Sequence, residues 1–216
     1  MTEGLPAAVP GSLGIFGGTF DPVHLAHLAV AQEAAEALGL ERIVFIPAGE
    51  PPHKPGRAIT PGEVRLGMLE LAIAGNDRFA IDRRELDRGG PSYTVDTLED
   101  LAAQRPAGAP DLVLILSAEA FLGLMTWRQP RRILELARVA VAPRDGFPDA
   151  GPDFLEANLP DLAHRATFLD SPRLRLSASE LRARAAAGRS LRYLVPDAVA
   201  AYIGDHGLYR NHLRTD

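Results

Sequence analysis

Leu13-Gly14-Ile15-Phe16-Gly17-Gly18-Thr19-Phe20-Asp21-Pro22-Val23-His24-Leu25-Ala26-His27 is the stretch whose reading decides the fold of this 216-residue chain. Its first four residues read as a short buried strand. Val23 to Leu38 read as a helix, with Leu25, Leu28, Ala29, Gln32 and Ala35 at three-to-four spacing and Gly39 as the stop. Between strand and helix, the Gly17-Gly18 pair lets the main chain come close to a ligand. Asp21 is expected to cap the helix, with Pro22 at its first position. Such a helix start presents N–H groups and the positive end of the dipole, which suits a phosphate. His24 and His27, three apart, fall on one face of the first turn. The plain alternative is a tight strand-to-helix turn with two incidental histidines. The pattern is neither the phosphate loop Gly-x-x-x-x-Gly-Lys-Ser/Thr nor the dinucleotide fingerprint Gly-x-Gly-x-x-Gly.

Working outward, short apolar runs alternate with longer segments of helical period, which predicts an α/β chain with a parallel sheet and crossover helices. Further strands are expected at Arg42 to Pro47, Phe79 to Ile81, Asp111 to Leu116 and Arg138 to Ala142. The near-continuous apolar character of Asp111 to Leu116 marks a sheet centre covered on both faces. Helices are expected at Pro61 to Gly75, Ser92 to Gln104, a short one closing at Ile133 to Leu136, Ser177 to Ala187 and Pro196 to Gly204. Ala48 to Pro61 reads as a loop, and Gly146 to Pro160 carries no clear pattern. No repeat and no linker divides the chain.

Composition narrows the chemistry. With 23 basic and 28 acidic residues the net charge is −5, which argues against a non-specific nucleic-acid binder. There are no cysteines, which removes disulfides, thiolate catalysis and Cys-based zinc sites. No apolar run approaches the ~20 residues of a membrane span. The opening residues carry an acid and no apolar core, so residues 1–12 are expected to be a flexible extension rather than a leader, and the cytoplasm is the expected compartment.

The motif Gly-Gly-Thr-Phe-Asp-Pro-x-His-x-x-His resembles the signature of the nucleotidyltransferase superfamily, with Ala26 where that signature has glycine. Leu176-Ser177-Ala178-Ser179-Glu180-Leu181-Arg182 is similar to its C-terminal Ile-Ser-Ser-Thr-x-Ile-Arg motif; read alone, Ser177 and Glu180 make a capping box. Other segments narrow the family. Pro51-Pro52-His53-Lys54, Ser92-Tyr93-Thr94-Val95-Asp96-Thr97-Leu98, Trp127, Arg144-Asp145-Gly146-Phe147 and the closing Gly207-Leu208-Tyr209 resemble the nicotinate mononucleotide adenylyltransferases of bacteria. One departure stands out. The family's Gly-x-Asp after the central strand is here Ser117-Ala118-Glu119, a carboxylate on a stem one methylene longer.

The resemblance implies a Rossmann-like parallel sheet with helices on both faces, in a single domain over residues 13–210 followed by a tail at 211–216. It implies adenylyl transfer from ATP, accompanied by Mg²⁺, to nicotinate mononucleotide. His24, His27 and Arg182 would be catalytic. Gly17, Gly18, Thr19, Phe20, Ser117, Glu119, Ser177 and Ser179 would bind ATP. Ala48, His53, Lys54, Thr94, Trp127, Arg128 and Arg144 would bind the mononucleotide. No protein-held metal, nucleic-acid or membrane partner is expected, and homo-oligomerisation stays open. Given the chain's negative total, attraction for two anions must be local, from two helix starts, His24, His27, Lys54, Arg144 and Arg182. The alternatives are a phosphopantetheine or nicotinamide mononucleotide adenylyltransferase, or a nucleotide-binding sensor of weak catalysis.

Overall fold

In the computed structural model, which describes residues 11–51 and 59–210, the apolar runs pair as a six-stranded, all-parallel sheet. The strands are β1 (Leu13–Gly18), β2 (Arg42–Pro47), β3 (Phe79–Ile81), β4 (Leu112–Ser117), β5 (Ala137–Ala142) and β6 (Ala166–Phe168). Their order is β3-β2-β1-β4-β5-β6. The connecting helices are α1 (Leu25–Ala37), α2 (Gly62–Ile73), α3 (Arg84–Arg88), α4 (Thr94–Ala103), α5 (Ala118–Leu122), α6 (Pro130–Leu136), α7 (Asp153–Asn158), α8 (Ala178–Ala186) and α9 (Asp197–Asp205). The expected N-terminal extension (apart from Gly11 and Ser12), the C-terminal tail, and His53 and Lys54 lie outside the described residues.

The alternation of side chains along each strand builds two cores. Ile43 and Phe45 of β2, Val113 and Ile115 of β4, and Ala140 and Ala142 of β5 face one side, under α1, α2, α8 and α9. Leu13 and Ile15 of β1, Val44 and Ile46 of β2, Leu112, Leu114 and Leu116 of β4, and Val139 and Val141 of β5 face the other, under α4 to α7. Strands covered on both faces have no polar phase, which explains their continuous apolar runs. This is the single α/β domain with helices on both faces that the sequence implies.

Two expectations are corrected. First, α1 begins at Leu25 with His24 as its N-cap, so Asp21 does not cap it and Pro22 is not its first residue. A cis peptide bond joins Asp21 to Pro22. The Asp21 carboxylate is engaged elsewhere: it accepts from the Tyr209 hydroxyl at 2.7 Å and the Thr60 N–H at 3.3 Å. Second, α3, α5, α7 and β6 are additional elements of three to six residues. Segments that short complete barely one helical turn or one strand alternation, so periodicity does not mark them.

The topology opens a cleft. β1 pairs with β2 as far as Gly18↔Pro47, and β4 with β5 as far as Ser117↔Ala142, yet β1 and β4 pair only from Leu13↔Leu112 to Ile15↔Leu114. The sheet order reverses between β1 and β4. Beyond Ile15 and Leu114 their carboxyl ends separate, the position where doubly wound sheets take their ligands.

Candidate active site

A cavity of about 690 Å³ fills that opening, and its wall includes Ile15 and Leu114, the last β1–β4 pair. Every site residue expected from the sequence that falls among the described residues borders it. Around the β1–α1 turn stand Gly17, Gly18, Thr19, Phe20, His24 and His27. From the α8 start come Ser177, Ser179 and Arg182. Ser117 and Glu119 follow β4, and Arg144 follows β5. Ala48, Thr94, Trp127 and Arg128 line the remaining wall.

The β1–α1 turn is shaped from within. Phe20 has φ of +50°, a left-handed conformation that costs a non-glycine residue roughly 1–2 kcal/mol. Its ring goes into the core, 2% exposed, and packs edge-on to Phe16 and His27. A Cβ on Gly18 would stand 2.9 Å from that ring, so this glycine is required by close approach. Phe20 thus packs its ring beneath the turn, against Gly18 and His27 at the cavity edge. Ala26 sits in the first turn of α1, where helical geometry asks for no glycine.

The His24 and His27 rings stack at 3.7 Å, 23° from parallel. The His24 backbone N–H donates to His27 Nδ1 at 3.2 Å, which leaves the neutral ring's proton on Nε2. His24 is 5% exposed, and its buried Nδ1 has no hydrogen-bond partner among the described residues. Burial, followed by the Arg144 guanidinium, brings its pKa down to about 4. At pH 7 it is a neutral imidazole, which corrects the expectation that His24 adds positive charge. At α8, Ser177 accepts the Glu180 N–H at 3.2 Å, forming the cap. Arg182 donates to the main-chain oxygen of Asp21 at 2.6 Å and to Ser179 Oγ at 3.3 Å.

Glu119, an expected ATP ligand, and Arg144, an expected mononucleotide ligand, meet in an ion pair at 2.9 Å. They join the segments after β4 and β5. Ser117 caps α5 by accepting the Ala120 N–H at 3.3 Å. Trp127 is half-buried, packed at the edge of the second core. Arg128 lies over the Tyr93 ring at 4.8 Å and pairs with Asp96 at 3.2 Å.

Four residues at or behind the site have partners that the local sequence does not reveal. Arg65 on α2 is 1% exposed and donates to the carbonyls of Thr60 (2.8 Å), Thr19 (2.8 Å) and Ala48 (2.7 Å), tying together three segments around the cleft. Glu85 is buried in the wall and accepts the Thr97 hydroxyl at 2.7 Å; desolvation raises its pKa above the usual carboxylate value. Asp21 and Tyr209 form the buried pair already described. The Pro after Asp21, which suggests a helix start, hides the one; the other lies 188 residues away in sequence. Among the described residues, no three His, Asp or Glu side chains converge as a metal-binding group. Glu119 and Asp21 are engaged with Arg144 and Tyr209, so the donor set does not fit a dedicated metal site. No helix among the described residues is long and apolar enough to cross a membrane.

The sheet has the strand order of a doubly wound nucleotide-binding fold, and residues 15–184 match the Cytidylyltransferase-like family, which places the chain among the nucleotidyltransferases. The nicotinic acid mononucleotide adenylyltransferase of Plasmodium falciparum, solved with NaAD, shares the fold with a TM-score of 0.72 at 16% identity, covering 92% of this chain and 97% of that one. Within the class, the chain belongs to the nicotinate-nucleotide adenylyltransferase family. It is 48% identical over 198 residues to the Roseiflexus sp. member so named, covering 92% of this chain and 98% of the relative. It is 43% identical over 198 residues to a Thermus thermophilus member, covering 92% and 99%.

Proposed function

We propose that this chain transfers the adenylyl group of ATP to nicotinate mononucleotide, forming nicotinate adenine dinucleotide and releasing pyrophosphate. The observation that carries the reading is the convergence of the β1–α1 turn and the α8 start, with His24, His27 and Arg182, on the cleft where β1 and β4 part. A phosphate oxygen of the mononucleotide attacks the α-phosphorus of ATP, and the bond to the β-phosphate oxygen breaks. A phosphate monoester has a second pKa near ~6 and is a dianion at neutral pH, so no general base is needed. Catalysis then consists of holding two anions together and neutralising the charge that develops.

In this reading Arg182 supplies the fixed positive charge. His27 presents Nε2–H as a donor, and neutral His24 supports it by stacking. Gly17, Gly18 and Thr19 leave room for the triphosphate beside the Ser177–Ser179 start of α8, while Glu119 and Ser117 face the ATP sugar. Trp127 stacks on the pyridine ring, Thr94 at the α4 start receives its carboxylate, and Arg144 and Arg128 attract the mononucleotide phosphate. Ala48 closes the wall, and His53 and Lys54 supply further basic groups for the mononucleotide. Mg²⁺ bound to the ATP phosphates would supply further neutralisation of their charge.

The test is pyrophosphate release with ATP and Mg²⁺ against each acceptor in turn. Release with nicotinate mononucleotide and little with nicotinamide mononucleotide or phosphopantetheine is expected. Comparable release with either of the others would reassign the acceptor, and ATP binding without release would favour a sensor.

A further inference from the structure

Arg182 lies next to a carboxylate that could cancel it. Its Nη1 is 2.6 Å from the main-chain oxygen of Asp21 but 4.0 Å from the carboxylate oxygen Oδ2 of the same residue. Asp21 is 4% exposed, and a buried carboxylate seeks donors wherever it can reach them. Among the described residues, two neutral donors hold it where it stands. The Tyr209 hydroxyl donates to Oδ1 at 2.7 Å and the Thr60 N–H to Oδ2 at 3.3 Å. The nearby Arg65 guanidinium also acts on Asp21 electrostatically, though its hydrogen bonds go to main-chain carbonyls. Burial, and then the bond to Asp21, raise the Tyr209 phenol well above its ordinary pKa, so it stays a donor at any working pH.

We propose that Tyr209 is a positioning residue that holds the Asp21 carboxylate away from Arg182, so that the guanidinium is oriented by a neutral carbonyl and keeps its charge for the phosphates of the nucleotide. This rests on the role given to Arg182 above. Without the Tyr209 hydroxyl, Oδ1 is short of a donor, and the shortest remedy is to turn the carboxylate onto Arg182. The 4.0 Å pair would then close to direct contact and neutralise the guanidinium. A merely structural tether of the C-terminal segment predicts something different: loss of the hydroxyl would act through stability, and neutralising Asp21 would not repair it.

The experiment compares wild type, Tyr209→Phe, Asp21→Asn and the double variant, with Asp21→Ser as a smaller neutral replacement. Tyr209→Phe deletes one oxygen and keeps the ring in its packing. ATP affinity is measured by calorimetry in excess Mg²⁺, thermal melting monitors folding, and pyrophosphate release with nicotinate mononucleotide is followed separately. Tyr209→Phe is expected to weaken ATP binding at least fivefold, and neutralising Asp21 in the same chain to restore it to within twofold of wild type. Unchanged ATP affinity in Tyr209→Phe overturns the proposal, as does a double variant no better than Tyr209→Phe. Because ATP binding needs no acceptor, a wild type that binds ATP but fails to turn over nicotinate mononucleotide refutes the proposed reaction and leaves this comparison standing.

Discussion

The buried His24 ring gives the folded state a pH dependence of known sign. Unfolded, it takes a proton near 6.5; folded, only near about 4. Between those values the unfolded chain binds more protons, so stability falls as pH drops through that window and levels off below it. The separation corresponds to about 3 kcal/mol. Denaturant titrations at pH 7 and 5 should show about half of this loss, and His24→Asn should remove most of it. His27 presents Nε2–H as its donor, since Nδ1 accepts from the His24 N–H. Replacing it with Ala should lower kcat by at least ~10² while leaving the fold intact, as for a donor aimed at developing charge. Trp127→Ala should raise the KM for the mononucleotide roughly tenfold, as loss of one stacking partner does, and change that for ATP far less.

At the scale of elements, loops around the cleft are held by a helix behind them. α2 brings Arg65 to three carbonyls in the segments after β1 and β2 and before α2 itself. Arg65→Met should cost about 3–5 kcal/mol in urea denaturation, because it orphans buried acceptors. Glu119→Ala, which breaks a pair with both side chains over 40% exposed, should cost less than ~1 kcal/mol. Sequence legibility divides along the same line. The Gly17-Gly18 turn and the Ser177-to-Arg182 start are contiguous, so their chemistry is written in adjacent letters. Arg65 reads as one more solvated helix charge, because nothing local says that three carbonyls await it. Glu85 sits on a five-residue helix without usable period. Asp21 before a proline imitates a cap, and its true partner is Tyr209, near the far end of the chain. Local motifs were readable; partners brought together by the crossover topology were not.

For the molecule as a whole, a net charge of −5 surrounds a site built for anions. Attraction must come from Arg182, Arg144 and the helix starts at short range, working against a repulsive periphery. Ionic strength screens both, but the cations face the cleft directly. The KM of both substrates should therefore rise between ~0.05 and ~0.15 M salt, over which the Debye length shrinks to about 8 Å. A flat salt response would place recognition in neutral groups instead. The six strands themselves belong to the sheet's stability, and the two cores on its faces fix them from either side.

The parting of β1 from β4 after a three-pair register has a practical consequence for redesign. The width of the cleft is a main-chain quantity, set by backbone divergence and not by any side chain at the floor. Enlarging or shrinking floor residues such as Ile15 or Leu114 would disturb packing before it altered which molecule fits. Attempts to evolve a new acceptor preference should therefore be concentrated on Ser92 to Thr97 at the start of α4 and on the segments following β4 and β5. There substitutions can change what the opening recognises while its span stays the same.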